Sequence, residues 1–192
     1  STGGNGQAGR RIDDPVRRLV RRLKGRYRGR ITGSVVLPQR PARLQSLPNE
    51  LDPRLAAALL SRGVQQLYSH QREAWDAVTA GRHTVVVTPT ASGKTLCYNL
   101  PVLQAALKDR AKALYLSPTK SLSQDQVAEL MELNDAGNLG IRAFTFDGDT
   151  PGDARKAVRT RGDIVVSNPD MLHQGVLPHH TKWAQFFENL RF

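Results

Sequence analysis

Residues 88–95 read TPTASGKT and lie between two segments of opposite character. Before them, residues 83–88 (HTVVVT) make a short β-branched run of the length expected for a buried strand. After them, from about Lys94, a helical segment opens with LCYNL. A strand that turns through small residues into a helix N-terminus aims successive backbone N–H groups at one point, where the helix dipole adds positive charge. Such a turn binds phosphate and fits few folds outside a parallel α/β sheet. Thr90, Ala91 and Ser92 supply loop amides, Gly93 lets the backbone approach closely, Lys94 reaches β- and γ-phosphates, and the Thr95 hydroxyl takes Mg²⁺. Lys94 and Thr95 are therefore the catalytic candidates, and ATP with Mg²⁺ the implied cofactors. The strict phosphate-loop pattern begins with Gly, and Thr88 stands there instead. The plainer alternative is an ordinary strand–helix turn with a surface lysine.

The pattern around this turn is an alternation of helices and strands. Asp52-Pro53 starts a helix that Gly63 ends, and Ser69 caps a second helix running to about Ala80. Pro101 is expected to kink or shorten the helix that begins near Lys94. Residues 112–117 (KALYLS), 141–146 (IRAFTF) and 163–167 (DIVVS) are further strands. Helices are expected near 120–135, with Gly137 after it, and from Thr150-Pro151, with Asp153 placed for a capping box. Four strands separated by helices predict right-handed crossovers and a parallel sheet covered on both faces.

Charge divides the chain differently. Residues 1–43 hold 12 Lys/Arg against 2 Asp, a net of +10 out of a total of +11. Within that block residues 1–9 read as disordered, and a cationic helix follows, with Asp14 as cap, Pro15 at its first position and Gly25 after its end. Val16, Leu19, Val20 and Leu23 form its apolar stripe. Residues 31–48, with Pro38, Pro41 and Pro48, read as an extended linker. The expected division is a basic extension and linker over 1–45 and an incomplete nucleotide-binding domain over 46–192. A cationic block of this kind neutralises nucleic-acid phosphates; the alternative is a solvated tail. No apolar run reaches the roughly 18 residues of a membrane span, and no secretory signal is apparent. The single cysteine, Cys97, excludes an internal disulfide and suits a reducing, cytoplasmic compartment.

Upstream of the loop, LYSHQ (67–71) carries a Gln side chain that can donate to and accept from one adenine edge at once. Gln71 fits that task and Tyr68 can pack beside the base. A surface Gln and a half-buried Tyr are the alternative.

LYSHQ, TPTASGKT, SPTKSLSQDQ (117–126), DGDT (147–150) and SNPDML (167–172) occur in the order found in superfamily 2 helicases. The set resembles the first RecA-like motor domain of DEAD/DEAH-box enzymes. Its wording is similar to the bacterial DNA-repair helicases of the mitomycin-repair-factor type, related to RecQ4-like enzymes. The resemblance covers about residues 50–192. It implies a RecA-like (P-loop NTPase) α/β fold, ATP hydrolysis coupled to 3′-to-5′ movement on nucleic acid, DNA favoured over RNA, and a second RecA-like domain as partner. It places Gln71 on the adenine base. It assigns Pro118, Thr119, Lys120 and Gln124 to a grip on the nucleic-acid backbone, with Lys120 where Arg is commoner. A lysine keeps a phosphate contact and loses the bidentate fork. DGDT, with Asp149, resembles the family's next loop, although capping by Asp149 and Thr150 explains it equally well. Ser167 and Asn168 match residues that donate to phosphates near a helix N-terminus.

The resemblance also implies an Asp-Glu-x-His box whose Glu activates the attacking water, and no DExH or DExD tetrad occurs in the chain. Residues 190–192 look like the entry to the strand that would carry it. The expectation is a motor fragment that binds nucleotide weakly and does not turn it over at a helicase-like rate. Two other classes stand beside it: a P-loop kinase, for which no lid pattern is found, and a non-catalytic nucleic-acid-binding module, for which the basic segment speaks. His173, His179 and His180 lack Cys or carboxylate at ligand spacing and read as ordinary polar histidines. Cys97 reads as a small buried hydrophobe. Trp183, Phe186 and Phe187 read as core, with a base-stacking platform the sharper alternative.

Overall fold

The computed structural model describes residues 15–33, 35, 41–89 and 92–192, and the side chain of Lys120 is outside this description. The expectations for residues 1–9, Asp14, Pro38, Thr90 and Ala91 fall outside the described residues. The chain divides into two compact units, Ser1–Pro41 and Ala42–Phe192.

The first unit contains helix α1 (Pro15–Arg26), which runs through Gly25 rather than ending before it. One glycine near a helix end costs only about 1 kcal/mol against Ala, too little to stop it there.

The second unit is α/β. β1 (Leu44–Ser46) and β2 (Gln66–Tyr68) pair antiparallel, Leu44 opposite Tyr68. The expected linker therefore ends in a strand, because an edge partner was available that no local pattern reveals. α2 (Pro53–Ser61) starts as predicted: the Asp52 side chain accepts from Arg54 N at 2.9 Å, and Pro53 supplies a preset φ. α3 (Ser69–Thr79) begins one residue after Tyr68, whose N–H donates to Gln71 Oε1 at 2.9 Å. α4 (Thr95–Asp109) continues unbroken past Pro101, so the predicted shortening does not occur. Seven of its residues from Cys97 to Ala105 are buried, Pro101 among them, and that burial outweighs one missing hydrogen bond.

β3 (Ala113–Leu116), β4 (Ala143–Thr145) and β5 (Ile164–Ser167) form a parallel sheet in the order β3-β5-β4. Ala113 and Ala143 both pair with Ile164. Register at the sheet's lower end is held by Arg142, which donates to both Asp163 carboxylate oxygens at 3.0 Å. Every residue of β5 is buried. Ile164 and Val166 face a core with Leu100 and Leu103 of α4 and Leu130 and Leu133 of α5. Here α5 is Lys120–Ala136. Val165 faces a second core with Phe146, Val158 of α6 (Gly152–Arg161), Val176, Trp183 and Phe186. Alternation along one strand thus builds both layers, as a strand covered on two faces requires. Trp183 is 1% exposed and packs edge-on against Phe146 at 4.9 Å between ring centroids. It is core, as expected, and a buried ring offers no platform for a base. Short helical turns, α7 (Pro169–Met171) and α8 (Ala184–Phe187) among them, occupy the remainder.

The predicted strand at 83–88 joins no ladder among the described residues. It is extended, with Val85 89% and Val87 88% exposed. Its apolar residues satisfy the strand pattern, but no paired neighbour lies beside them. The sheet accordingly has three strands rather than four. On the free side of β3 the chain returns: Lys112 and Leu190 form a parallel bridge, and Leu114 N donates to Phe192 O at 2.9 Å. Residues 190–192 thus lie along the free edge of β3, joined to it by a single bridge and by backbone hydrogen bonds.

Candidate nucleotide-binding site

Gly93 adopts φ +73°, a backbone state that L side chains rarely occupy. A Cβ there would sit 2.7 Å from Gln71 Nε2. That amide donates to Gly93 O at 2.8 Å, while Gln71 Oε1 accepts from Tyr68 N. Both ends of the Gln71 amide are therefore committed to backbone, in a side chain only 3% exposed. Gln71 ties the α3 N-terminus to the loop. The amide that would read an adenine is paired with backbone here, so that contact requires one of these two bonds to be exchanged.

His70 adds a second tie. Its Nε2 lies 2.9 Å from Ser92 O, and its ring stacks on Tyr68 at 5.7 Å with the planes 9° apart. Within LYSHQ, His70 has no role assigned by residue type alone. The usable signal was its position one residue before Gln71 at the start of a helix. Thr88 Oγ1 and Ser92 Oγ lie 2.6 Å apart and close the loop across its base. Thr88, the departure from the Gly pattern, thus has a structural use.

Lys94 is half-buried, and its Nζ donates to Thr88 O at 2.9 Å and Pro89 O at 3.0 Å. It forms no ion pair among the described residues. The Thr88 and Pro89 carbonyls hold the ammonium, and a cavity of about 530 Å³, mostly apolar and bordered by Asp125 and Glu129 of α5, adjoins Lys94 and Thr95. A mobile cation on neutral carbonyls exchanges them for phosphate oxygens without breaking a salt bridge. The residues present fit a nucleoside triphosphate: a glycine at the turn, a lysine held only by neutral carbonyls, and a hydroxyl at the first position of α4. Cys97 is buried as expected, and burial pushes its thiol up, consistent with an inert side chain.

The loops after the parallel strands all leave from one edge of the sheet. After β3 come Pro118 and Thr119, both exposed, and Gln124 is exposed on α5. Thr119 Oγ1 accepts from Leu122 N at 3.3 Å, so it caps α5. After β4, Thr150 Oγ1 accepts from Asp147 N at 2.9 Å, and Asp149 N donates to Asp147 Oδ1 at 3.0 Å. The Thr150 side chain thus folds the DGDT loop on itself and leaves α6 with Pro151 as an uncapped start, contrary to the predicted capping box. Asp149 is exposed at the loop tip. After β5, Ser167 is 2% exposed and its hydroxyl donates to Phe146 O at 2.6 Å. It ties β5 to the end of β4 and is not presented to a ligand, which corrects its expected phosphate role. Asn168 Oδ1 caps α7 by accepting from Met171 N at 2.8 Å. Among the described residues no group of three or more His, Cys, Asp or Glu gathers in metal-binding geometry. None of their helices is long and apolar enough to cross a membrane.

The sequence model of the DEAD/DEAH box helicase family matches residues 68–192. The chain belongs to that family. The uncharacterized ATP-dependent helicase YprA of Bacillus subtilis is 53% identical over 154 residues, 80% of this chain and 21% of its own. The ATP-dependent helicase hrq1 of Schizosaccharomyces pombe is 42% identical over 78% of this chain and 14% of its own. A crystal structure of the DUF1998 helicase MrfA bound to DNA and AMPPNP is 54% identical and matches with a TM-score of 0.76, over 79% of this chain and 21% of that one. The present chain therefore spans about a fifth of the length of its bacterial relatives. The match bears out the RecA-like fold and the mitomycin-repair-factor resemblance.

Proposed function

We propose that this chain is the ATP-binding portion of an ATP-dependent DNA helicase that moves 3′ to 5′ and serves DNA repair in the cytoplasm. A second RecA-like domain of the parent chain would complete its site. The observation that carries the reading is the Gly93–Lys94 turn, where a half-buried ammonium rests on two loop carbonyls beside an open cavity. Family membership supports the use of ATP, and the DNA and AMPPNP in the MrfA crystal support the choice of ligands.

On this reading Lys94 leaves Thr88 O and Pro89 O for the β- and γ-phosphates, and Thr90, Ala91, Ser92 and Gly93 offer backbone amides. Thr95 would hold Mg²⁺, which supplies charge neutralisation at the phosphates when bound. Tyr68 packs beside the adenine, and Gln71 contacts it after releasing one of its two backbone partners. Pro118, Thr119, Lys120, Gln124, Asp149 and Asn168 stand on the loops and helix start that would meet the DNA backbone, and Ser167 supports them from beneath.

The test is titration of a fluorescent ATP analogue into the chain and into Lys94→Ala. A charge-assisted hydrogen bond of about 1.5–3 kcal/mol makes the variant roughly 10- to 100-fold weaker. Equal affinity of the two proteins rules the loop out as the nucleotide site. Adding single-stranded DNA should leave turnover by this chain slow, and brisk DNA-stimulated hydrolysis would contradict the expectation of an incomplete active site.

A further inference from the structure

Helix α1 carries Arg17, Arg18, Arg21, Arg22, Lys24 and Arg26 and no acidic residue, and Arg28 and Arg30 follow it. At 100° per residue Arg17 and Lys24 fall on one flank, Arg22 and Arg26 on the other, and Arg18 and Arg21 between them. Val16, Leu19, Val20 and Leu23, with Tyr27 after the helix, occupy the opposite stripe. No residue of α1 is buried, and among the described residues Arg17, Arg22, Lys24, Arg28 and Arg30 form no ion pair with a carboxylate. Arg17, Arg22 and Lys24 are like charges within about 18 Å of helix and repel one another in the absence of a polyanion.

Their spacing matches one polyanion in particular. A helix about 10–12 Å across fills a B-DNA major groove about 12 Å wide, with a phosphate row on each side. Cations on both flanks then meet both rows at once, while the arc between them faces the groove floor. A lipid surface would also take the apolar stripe with the charges on the opposite face, but it favours Trp and Phe among the buried residues, and α1 has neither. This stripe is aliphatic but for Tyr27, and the charges cover the far side of the helix. We propose that α1 with its following turn is a sequence-independent duplex-DNA site, separate from the nucleotide loop and able to act without ATP. It goes beyond the motor reading: a protein with this site stays on duplex through the nucleotide-free part of a cycle.

The experiment uses the whole chain. Binding to a labelled 20-base-pair duplex is measured by anisotropy between 50 and 300 mM NaCl for three proteins. They are the natural sequence, Lys94→Ala, and a variant with Arg17, Arg22, Lys24, Arg28 and Arg30 all changed to Gln. Each phosphate contact contributes about 0.9 to the slope of log affinity against log salt, so the five-fold variant should lose up to about 4.5 from that slope. At 100 mM NaCl it should bind roughly 100-fold more weakly, whereas Lys94→Ala should bind as the natural chain does. Changing the same four arginines to Lys should restore the slope. An unchanged slope in the five-fold variant overturns the proposal. So does tighter capture by vesicles containing phosphatidylserine than by duplex at equal salt. Nucleotide affinity in the five-fold variant separates the two readings, because it should be unaltered whether or not the DNA site is real.

Discussion

Gly93→Ala examines the join between the phosphate loop and α3 more sharply than loss of the lysine does. The substitution puts a methyl group 2.7 Å from Gln71 Nε2 at a backbone angle of φ +73°. Holding Ala in the left-handed region costs about 1–2 kcal/mol. The Gln71 amide must also move, and it is buried, with its Nε2 bonded to Gly93 O at 2.8 Å. Stranding that donor costs about 1–3 kcal/mol. Together they come to about 3 kcal/mol against the binding-competent loop, so an ATP analogue should bind about 100-fold more weakly. The structure further requires the two costs to be coupled. With Gln71→Ala already in place there is no amide to strand, and Gly93→Ala should cost only its backbone part, about 1 kcal/mol or 5-fold. The assay is a double-mutant cycle in nucleotide affinity, with thermal melting to confirm that each variant folds. Equal penalties in both backgrounds, or full affinity in Gly93→Ala, would refute the idea that Gln71 shapes the loop.

Trp183→Ala should lower stability to urea by about 3–5 kcal/mol, since the ring is fully buried between Phe146 and Phe186. Val85→Thr and Val87→Thr should change stability by less than about 0.5 kcal/mol, whereas Ile164→Ala, one residue into the paired sheet, should cost about 2–5 kcal/mol; a large loss at Val85 would mean that 83–88 is packed after all. Asp52→Ala should cost about 1 kcal/mol through the lost α2 cap. The Arg54 side chain holds the Asp52 carboxyl below its ordinary value of 3.8, so its contribution is full above that pH and is lost on acidification through the lower folded-state value. Asp52→Asn should keep most of the cap and flatten that acid limb in urea titrations at pH 7, 4 and 2.5.

The Gly93 turn into α4, the α/β class and helices such as α2 and α5 were legible without coordinates because their signals are local. Asp52-Pro53 presets its own backbone, and Thr119 caps α5 from three residues away. The unbroken apolar run of Ile164, Val165 and Val166 likewise identifies a strand buried on both faces. Three outcomes depended on partners distant in the chain. Val85 and Val87 have strand character, but pairing needs a neighbour, and a ladder is a property of two segments. Pro101 stays within α4 because the core around Leu100 and Leu103 repays the broken bond. Gln71, 22 residues from Gly93, is turned to its carbonyl only once α3 and the loop are side by side. Sequence by itself determined which residue types can bend, cap or hold phosphate, because those depend on backbone sterics and short-range hydrogen bonding. Tertiary structure alone decided which polar groups remain available for a ligand, because a buried donor accepts whichever partner folding brings within reach, as the hydroxyl of Ser167 did with Phe146 O.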